Sequence, residues 1–457
     1  MNITLYENIL TIQTSTERGS WNSKLGFILA AAGSAVGLGN IWGFPTKVAT
    51  EGGAAYLIIY LLCTFLIGFP VMVAELSIGR ASRRNPVGAF RALSSNRFFP
   101  LVGLWGVICG VMILSFYSVI AGWAFGYAFE EIFYFLGWTQ LADILTDTGN
   151  GWKNALLAIL FMLGTIKIIT GGVSDGIEKA TKTMMPLLIG IIIIMILYVF
   201  TQDGAMDGVR EYLLPDFSRI TTSLVFSAMG QAFFSLSLGM GALITYGSYL
   251  SRKENIPQVA AFVTLADVGI AFLAGLLIIP AMYVARSAGI EIFVGDQLAS
   301  STDLVFQILP ALFHTIGGVV GVTLGVVFFL LLSIAALTST ISLLEVPVSY
   351  VIDEHQVPRA KAAWMVGLGV TAISVLISFK TSLIGNFSYI FSDLGLPIGG
   401  LLICLFISLI WKKDTALDEL EHGFPTVKQS LFAKVWPVFL YVICPAAIAY
   451  NIISNFL

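Results

Sequence analysis

Long stretches of this chain carry no Asp, Glu, Lys or Arg at all: residues 25–46, 54–74, 98–129, 221–250, 314–344 and 435–457. A bilayer core of about 30 Å is crossed by ~20 apolar residues in a helix, so each stretch is long enough to span. Backbone polar groups inside lipid must pair within their own segment, which makes these stretches helices rather than open strands. Only 11% of residues are charged and 57% are hydrophobic, where a soluble domain carries roughly 25% charged residues. An all-α integral membrane protein follows. The formal net charge of -3 says nothing about partners, because the charges lie in the loops; no nucleic acid is expected, and no protein partner is deducible.

Hydropathy divides the chain into eleven spans, at about 22–48, 54–78, 100–130, 152–170, 176–200, 221–251, 257–285, 315–352, 360–380, 384–411 and 432–456. The third and eighth exceed the bilayer thickness and should tilt or project beyond it. Arg80, Arg83, Arg84, Arg91 and Arg97 follow the second span, and Lys412 and Lys413 the tenth. The loop after the third span carries Glu130, Glu131, Asp143 and Asp147; that after the fifth carries Asp203, Asp207, Glu211 and Asp216. The positive-inside rule then puts the N-terminus in the cytoplasm and, with an odd span count, the C-terminus outside, in a multi-pass protein of the cell membrane. A cleaved signal peptide is disfavoured, since the first apolar run continues through Pro45 and its polar lead is not basic. The polar gap at 137–153 has room for a short external helix but not for a domain, so residues 1–457 are expected to form one transmembrane domain. Cys63, Cys109, Cys404 and Cys444 fall inside apolar spans and read as small packing residues. His314, His355 and His422 are scattered along the chain, which argues against a histidine metal site.

Two spans have sequences that ought not to make good helices. Residues 33–40 read GSAVGLGN and residues 234–241 read FSLSLGMG. Each interior glycine costs a helix roughly 1 kcal/mol relative to alanine. Close packing between helices accounts for either segment alone. Their placement argues for more, because they lie in the first and sixth spans, each opening a set of five. Paired interrupted helices in two halves point to a transport site at the membrane midplane. Freed carbonyls there can ligate a cation, and freed N–H groups can hold a carboxylate.

Residues 33–45 (GSAVGLGNIWGFP), 230–241 (GQAFFSLSLGMG) and 335–339 (AALTS) resemble motifs of the neurotransmitter:sodium symporter family, whose bacterial members take up amino acids. Gly176 and Pro186 resemble a fifth-helix motif linked to opening of the cytoplasmic path. The likeness runs from about Trp21 to the end of the tenth span. It implies two inverted five-helix repeats (about 22–200 and 221–411) with broken first and sixth helices, the leucine-transporter fold, and an accessory helix at about 432–456. It also implies sodium-coupled symport of a neutral, hydrophobic amino acid into the cell by alternating access. The alternatives left open are an amino-acid receptor or uncoupled channel on the same scaffold. An enzyme is disfavoured for want of clustered His, Cys and carboxylates.

The resemblance also assigns residues. One sodium ion would take the Ala35 carbonyl, Asn40, Ser235, Asp267 and the substrate carboxylate. A second would take the carbonyls of Gly33, Val36 and Ala335 with the hydroxyls of Thr338 and Ser339. The N–H groups of Leu38 and Gly39 and the Tyr117 hydroxyl would hold the substrate carboxylate. Carbonyls of Ala35, Phe234 and Ser235, with the Ser237 hydroxyl, would meet the ammonium. Ile113, Tyr117, Phe234, Met240, Ser339, Thr340 and Leu343 would line the side-chain pocket. Monoamine carriers of the family place an aspartate where this chain has Gly37, which favours a substrate bringing its own carboxylate. Arg18 and Asp353 match an inner gate pair, with Trp21 nearby, and Glu75 matches a support of the sixth-helix break. Tyr60, Gln231 and Ser235 match residues of the chloride site of animal members, but Asp267 brings a fixed negative charge there, so chloride should not be required. The family's outer arginine–aspartate gate falls at Gly43 and Ser388. Lys47 and Asp393, by straight-helix rise, diverge too far to replace it. Glu345 and Asp393 receive no role at this level.

Overall fold

In the computed structural model, residues 19–290, 292–294, 297–298 and 304–454 are described, and they are helical almost throughout. Among the described residues, nine helices are long and apolar enough to cross a bilayer. Two further spans are interrupted. The first consists of Lys24–Ala35 and Gly39–Glu51, bent by 53° at the intervening residues. The sixth consists of Thr222–Ser235 and Ala242–Gly247. Together these make the eleven expected from hydropathy, with the third span at Phe99–Phe135 and the eighth at Gly318–His355.

Several boundaries differ from those read in the sequence. Glu130 and Glu131 belong to the last turns of the third span and are buried, not loop residues. The polar gap contains the short helix it had room for, at Thr139–Thr146, whereas Leu309–Ile316 forms an unexpected helix of its own before the eighth span. A two-residue antiparallel ladder joins Phe293–Val294 to Gln297–Leu298.

Four of the helical prolines share one local feature. Pro45, Pro70, Pro310 and Pro445 each follow by two residues a turn widened to the π form, at Gly39–Gly43, Thr64–Gly68, Leu304–Ile308 and Phe439–Ile443. A proline ring collides with the carbonyl four residues earlier and offers no N–H to it. Widening the preceding turn relieves both problems without ending the helix.

The third and eighth spans pack more extensively on each other than any other pair and frame the first and sixth. Charged side chains tie the packing at one end. Arg80, fully buried on the second span, meets Glu419 at 2.6 Å and donates to the Glu254 carbonyl at 2.5 Å. Glu345 on the eighth span, also fully buried, receives both guanidinium arms of Arg359 and, at 2.7 Å, the Tyr249 hydroxyl. That pairing supplies the partner the sequence alone did not reveal. The four cysteines are free and buried.

Candidate functional site

The two breaks face each other. In the first span the helix ends at Ala35, and Val36 turns to extended backbone. In the sixth, Ser237, Gly239 and Gly241 all take positive φ, at 54°, 81° and 79°. Glycine adopts this region without strain, whereas Ser237 does so against its preference. The Gly239 N–H, freed by the break, donates to Glu75 at 2.7 Å, as the resemblance implied for that carboxylate. A second tie crosses between the breaks, from the Ser237 hydroxyl to the Ser34 carbonyl at 2.9 Å.

Three expected ligands of the first sodium meet in one buried cluster. Asn40 donates to Asp267 at 2.7 Å and to Ser235 at 3.0 Å, and Ser235 donates to Asp267 at 2.8 Å. Tyr60 adds its hydroxyl to the same Asp267 carboxylate at 3.2 Å. Gln231, the third residue matched to a chloride site, turns away and donates to the Gly39 carbonyl at 2.8 Å.

The residues assigned to the second ion also converge. Thr338 donates to the carbonyls of Ala335 and Val36, at 2.9 and 3.2 Å, and Ser339 to Val36 at 3.3 Å. Gly33 stands beside them: a Cβ there would come within 3.3 Å of Thr338 Cβ. Oxygens of this kind, without nitrogen or sulfur, suit a hard cation.

Between the two clusters lies a cavity of about 20 Å³ lined by Ala35, Gly39, Ile113, Tyr117, Phe234, Ser235, Ser237, Met240, Ser339 and Leu343. Gly37 lines it as well, and so does Ser34, which the sequence reading missed. The volume is close to that of one water, so an amino acid enters only by moving side chains. Leu38 contributes its N–H, which here donates to the Tyr117 hydroxyl at 2.8 Å. Gly37 leaves no room for a larger residue, since a Cβ there would lie 2.6 Å from that hydroxyl and closer still to Ser339.

Thr340 is a correction. It faces away from the cavity and meets Thr165 of the fourth span at 2.9 Å. One residue along a helix is a turn of about 100°, and that turn carries Thr340 off the face that Ser339 shares with the breaks.

Gly39, Tyr117 and Phe234 also border a vestibule of about 1110 Å³. Phe234 rests on Gly39, where a Cβ would meet its ring at 2.8 Å. Lys47, Ser388 and Asp393 all line this vestibule. Among the described residues no ion pair within 4 Å joins them.

At the opposite end, Trp21 donates to the Tyr246 carbonyl at 3.1 Å and packs edge-on against Phe27 and Tyr246. Asp353 accepts from the Asn85 backbone at 2.7 Å. Arg18 lies outside the described residues, so its pairing with Asp353 stays an expectation.

The comparisons with known proteins agree with this architecture. The family described as the sodium:neurotransmitter symporter family matches residues 18–150 and 139–456. An uncharacterized sodium-dependent transporter of Bacillus subtilis is 34% identical over 443 residues, covering 94% of this chain and 95% of that one. The mouse sodium-dependent neutral amino acid transporter B(0)AT2 is 28% identical over 305 residues, 58% of this chain and 41% of its own. The crystal structure of MhsT in complex with L-phenylalanine superposes with a TM-score of 0.84 at 38% identity, covering 96% of this chain and all of that one. The chain is thus a membrane transporter of the leucine-transporter fold and no enzyme, and it belongs to the sodium:neurotransmitter symporter family.

Proposed function

We propose that this protein carries a neutral, hydrophobic amino acid into the cell together with two sodium ions. The observation that carries the reading is the small cavity set between two buried oxygen clusters, at the point where both broken helices free their backbone groups. The substrate carboxylate would take the N–H groups of Leu38 and Gly39 and the Tyr117 hydroxyl. Its ammonium would meet the carbonyls of Ala35, Phe234 and Ser235 and the Ser237 hydroxyl. Ile113, Met240 and Leu343 give the side chain an apolar lining, and a thioether adapts readily to different shapes. The relative crystallised with L-phenylalanine supports a substrate of this class.

Asn40, Ser235, Asp267 and the Ala35 carbonyl would hold the first ion, completed by the substrate carboxylate. Gly33, Val36, Ala335, Thr338 and Ser339 would hold the second. Because the substrate is itself a ligand of the first ion, each must raise the affinity for the other by the same factor. Two entering ions and a zwitterion move two charges. A membrane potential of ~100 mV then supplies roughly 4.6 kcal/mol, enough for over ~10³-fold accumulation before the sodium gradient is counted.

Purified protein in proteoliposomes tests the reading. An inward sodium gradient should drive labelled hydrophobic amino acids above their external concentration, and a screen of the twenty amino acids identifies the preferred one. Equilibration without accumulation would instead indicate an uncoupled channel, and binding without uptake a receptor.

A further inference from the structure

Glu130 and Glu131, at the end of the third span, meet His314 of the helix Leu309–Ile316 beside the vestibule. His314 Nε2 lies 3.4 Å from Glu130 Oε1 and 3.4 Å from Glu131 Oε2. Neither approach makes a hydrogen bond: His314 Nε2, Glu130 Oε2 and Glu131 Oε1 are buried without a partner among the described residues. Both carboxylates are more than nine-tenths buried, at 3% and 1% exposure. One ligand atom from each of the three residues falls within 4.8 Å of the other two.

Two buried carboxylates drawn together by an imidazolium would be expected to accept its proton in a good hydrogen bond. This geometry serves a different purpose better. Bonds of ~2.0–2.1 Å arranged tetrahedrally set neighbouring ligand atoms about 3.3–3.4 Å apart, the separation found here between nitrogen and each carboxylate. The imidazole is fixed for the task, stacked on Tyr134 with ring centroids 3.6 Å apart and planes 5° from parallel. Glu131 is fixed too, because its carboxyl group occupies the space a side chain at Gly325 would need. Glu130 and His314 border the vestibule, so an ion from the bulk can reach them and keep a water as its fourth ligand.

We propose that Glu130, Glu131 and His314 form a binding site for a transition-metal dication of the zinc type. One imidazole nitrogen with two carboxylate oxygens suits such an ion, whereas calcium and magnesium ask for six or more oxygens. The ion would bridge the helix Leu309–Ile316 to the third span. That helix lines the vestibule through Pro310, Ala311 and His314, so the bridge would pin the rim of the substrate path.

Zinc titrated into the full-length protein in nanodiscs, followed by calorimetry, should show one site per chain, with equal calcium or magnesium giving no comparable signal. His314→Ala and Glu130→Gln should each weaken zinc binding at least tenfold. His314 is partly exposed, and thermal melting without metal checks that its variant remains folded. Cobalt in place of zinc should give the strong visible bands of tetrahedral coordination in the wild type and lose them in His314→Ala. The proposal is overturned if zinc binds non-stoichiometrically, if either variant binds it as the wild type does, or if calcium competes equally. These readouts do not depend on transport, so they stand or fall apart from the proposed substrate.

Discussion

Asn40, just past the break in the first span, donates its side-chain amide to the Asp267 carboxylate of the seventh span at 2.7 Å. Both residues are fully buried, and the hydroxyls of Ser235 and Tyr60 converge on the same carboxylate. A buried carboxylate is costly unless hydrogen bonds or a cation compensate it. Here three neutral donors do so, and none brings a positive charge. An ionised Asp267 would give the cluster a fixed negative charge from which a monovalent cation can gain.

That fixed charge leads to the first prediction. Tyr60 and Ser235, which would otherwise be free to hold a chloride ion, are already committed to Asp267. Replacing chloride by gluconate should leave uptake unchanged. Asp267→Asn removes the charge while keeping the shape, and should weaken sodium affinity at least tenfold. A large fall of wild-type uptake in gluconate would contradict this arrangement.

Thr338 tests the second ion separately. Its hydroxyl reaches carbonyls of two different spans, Val36 and Ala335. Thr338→Ala deletes one oxygen ligand, of the order of 1–1.5 kcal/mol, and should raise the sodium concentration for half-maximal transport about tenfold. An unchanged sodium titration would exclude Thr338 from the coupling.

Both breaks are legible in the sequence because glycines and serines cluster at mid-membrane, at the same place in each half, where a continuous helix would favour larger apolar residues. The grouping of Asn40, Ser235 and Asp267 follows from motif resemblance, and folding brings the three side chains within hydrogen-bond distance. One reading fails for a reason of geometry. Thr340 sits on a span that is apolar all round, so periodicity does not say which face meets the cavity. The packing of His314 against Glu130 and Glu131 is not legible in the sequence, because only tertiary folding brings these residues near.

Glu345 and Arg359 make the third prediction. The carboxylate is wholly buried, while the guanidinium is 23% exposed and binds it with both arms. Removing one partner of such a pair leaves an uncompensated buried charge, at a cost of ~3–5 kcal/mol. Arg359→Met should therefore lower the melting temperature markedly. Glu345→Gln in the same chain should recover part of the loss, because the stranded charge goes with it. Additive losses in the double variant would show that the two residues do not act as a pair.

Phe234 is the last barrier between vestibule and cavity, since its ring borders both and rests on the first-span backbone at Gly39. The charges further out are poorly placed to close the path. Lys47 and Asp393 face a space of about 1110 Å³ without touching, and salt at ~0.1 M screens exposed charges beyond about 10 Å. Retention of a bound substrate should thus depend on an aromatic ring and hardly on the rim charges. Phe234→Ala should speed the release of labelled substrate severalfold in washout measurements, with Phe234→Tyr close to wild type. Lys47→Ala should change the release rate less than twofold, and raising the ionic strength should change it no more. A substrate-bound structure with Lys47 and Asp393 joined across the vestibule, or a Lys47→Ala variant that releases as fast as Phe234→Ala, would transfer the gate from the ring to the charges.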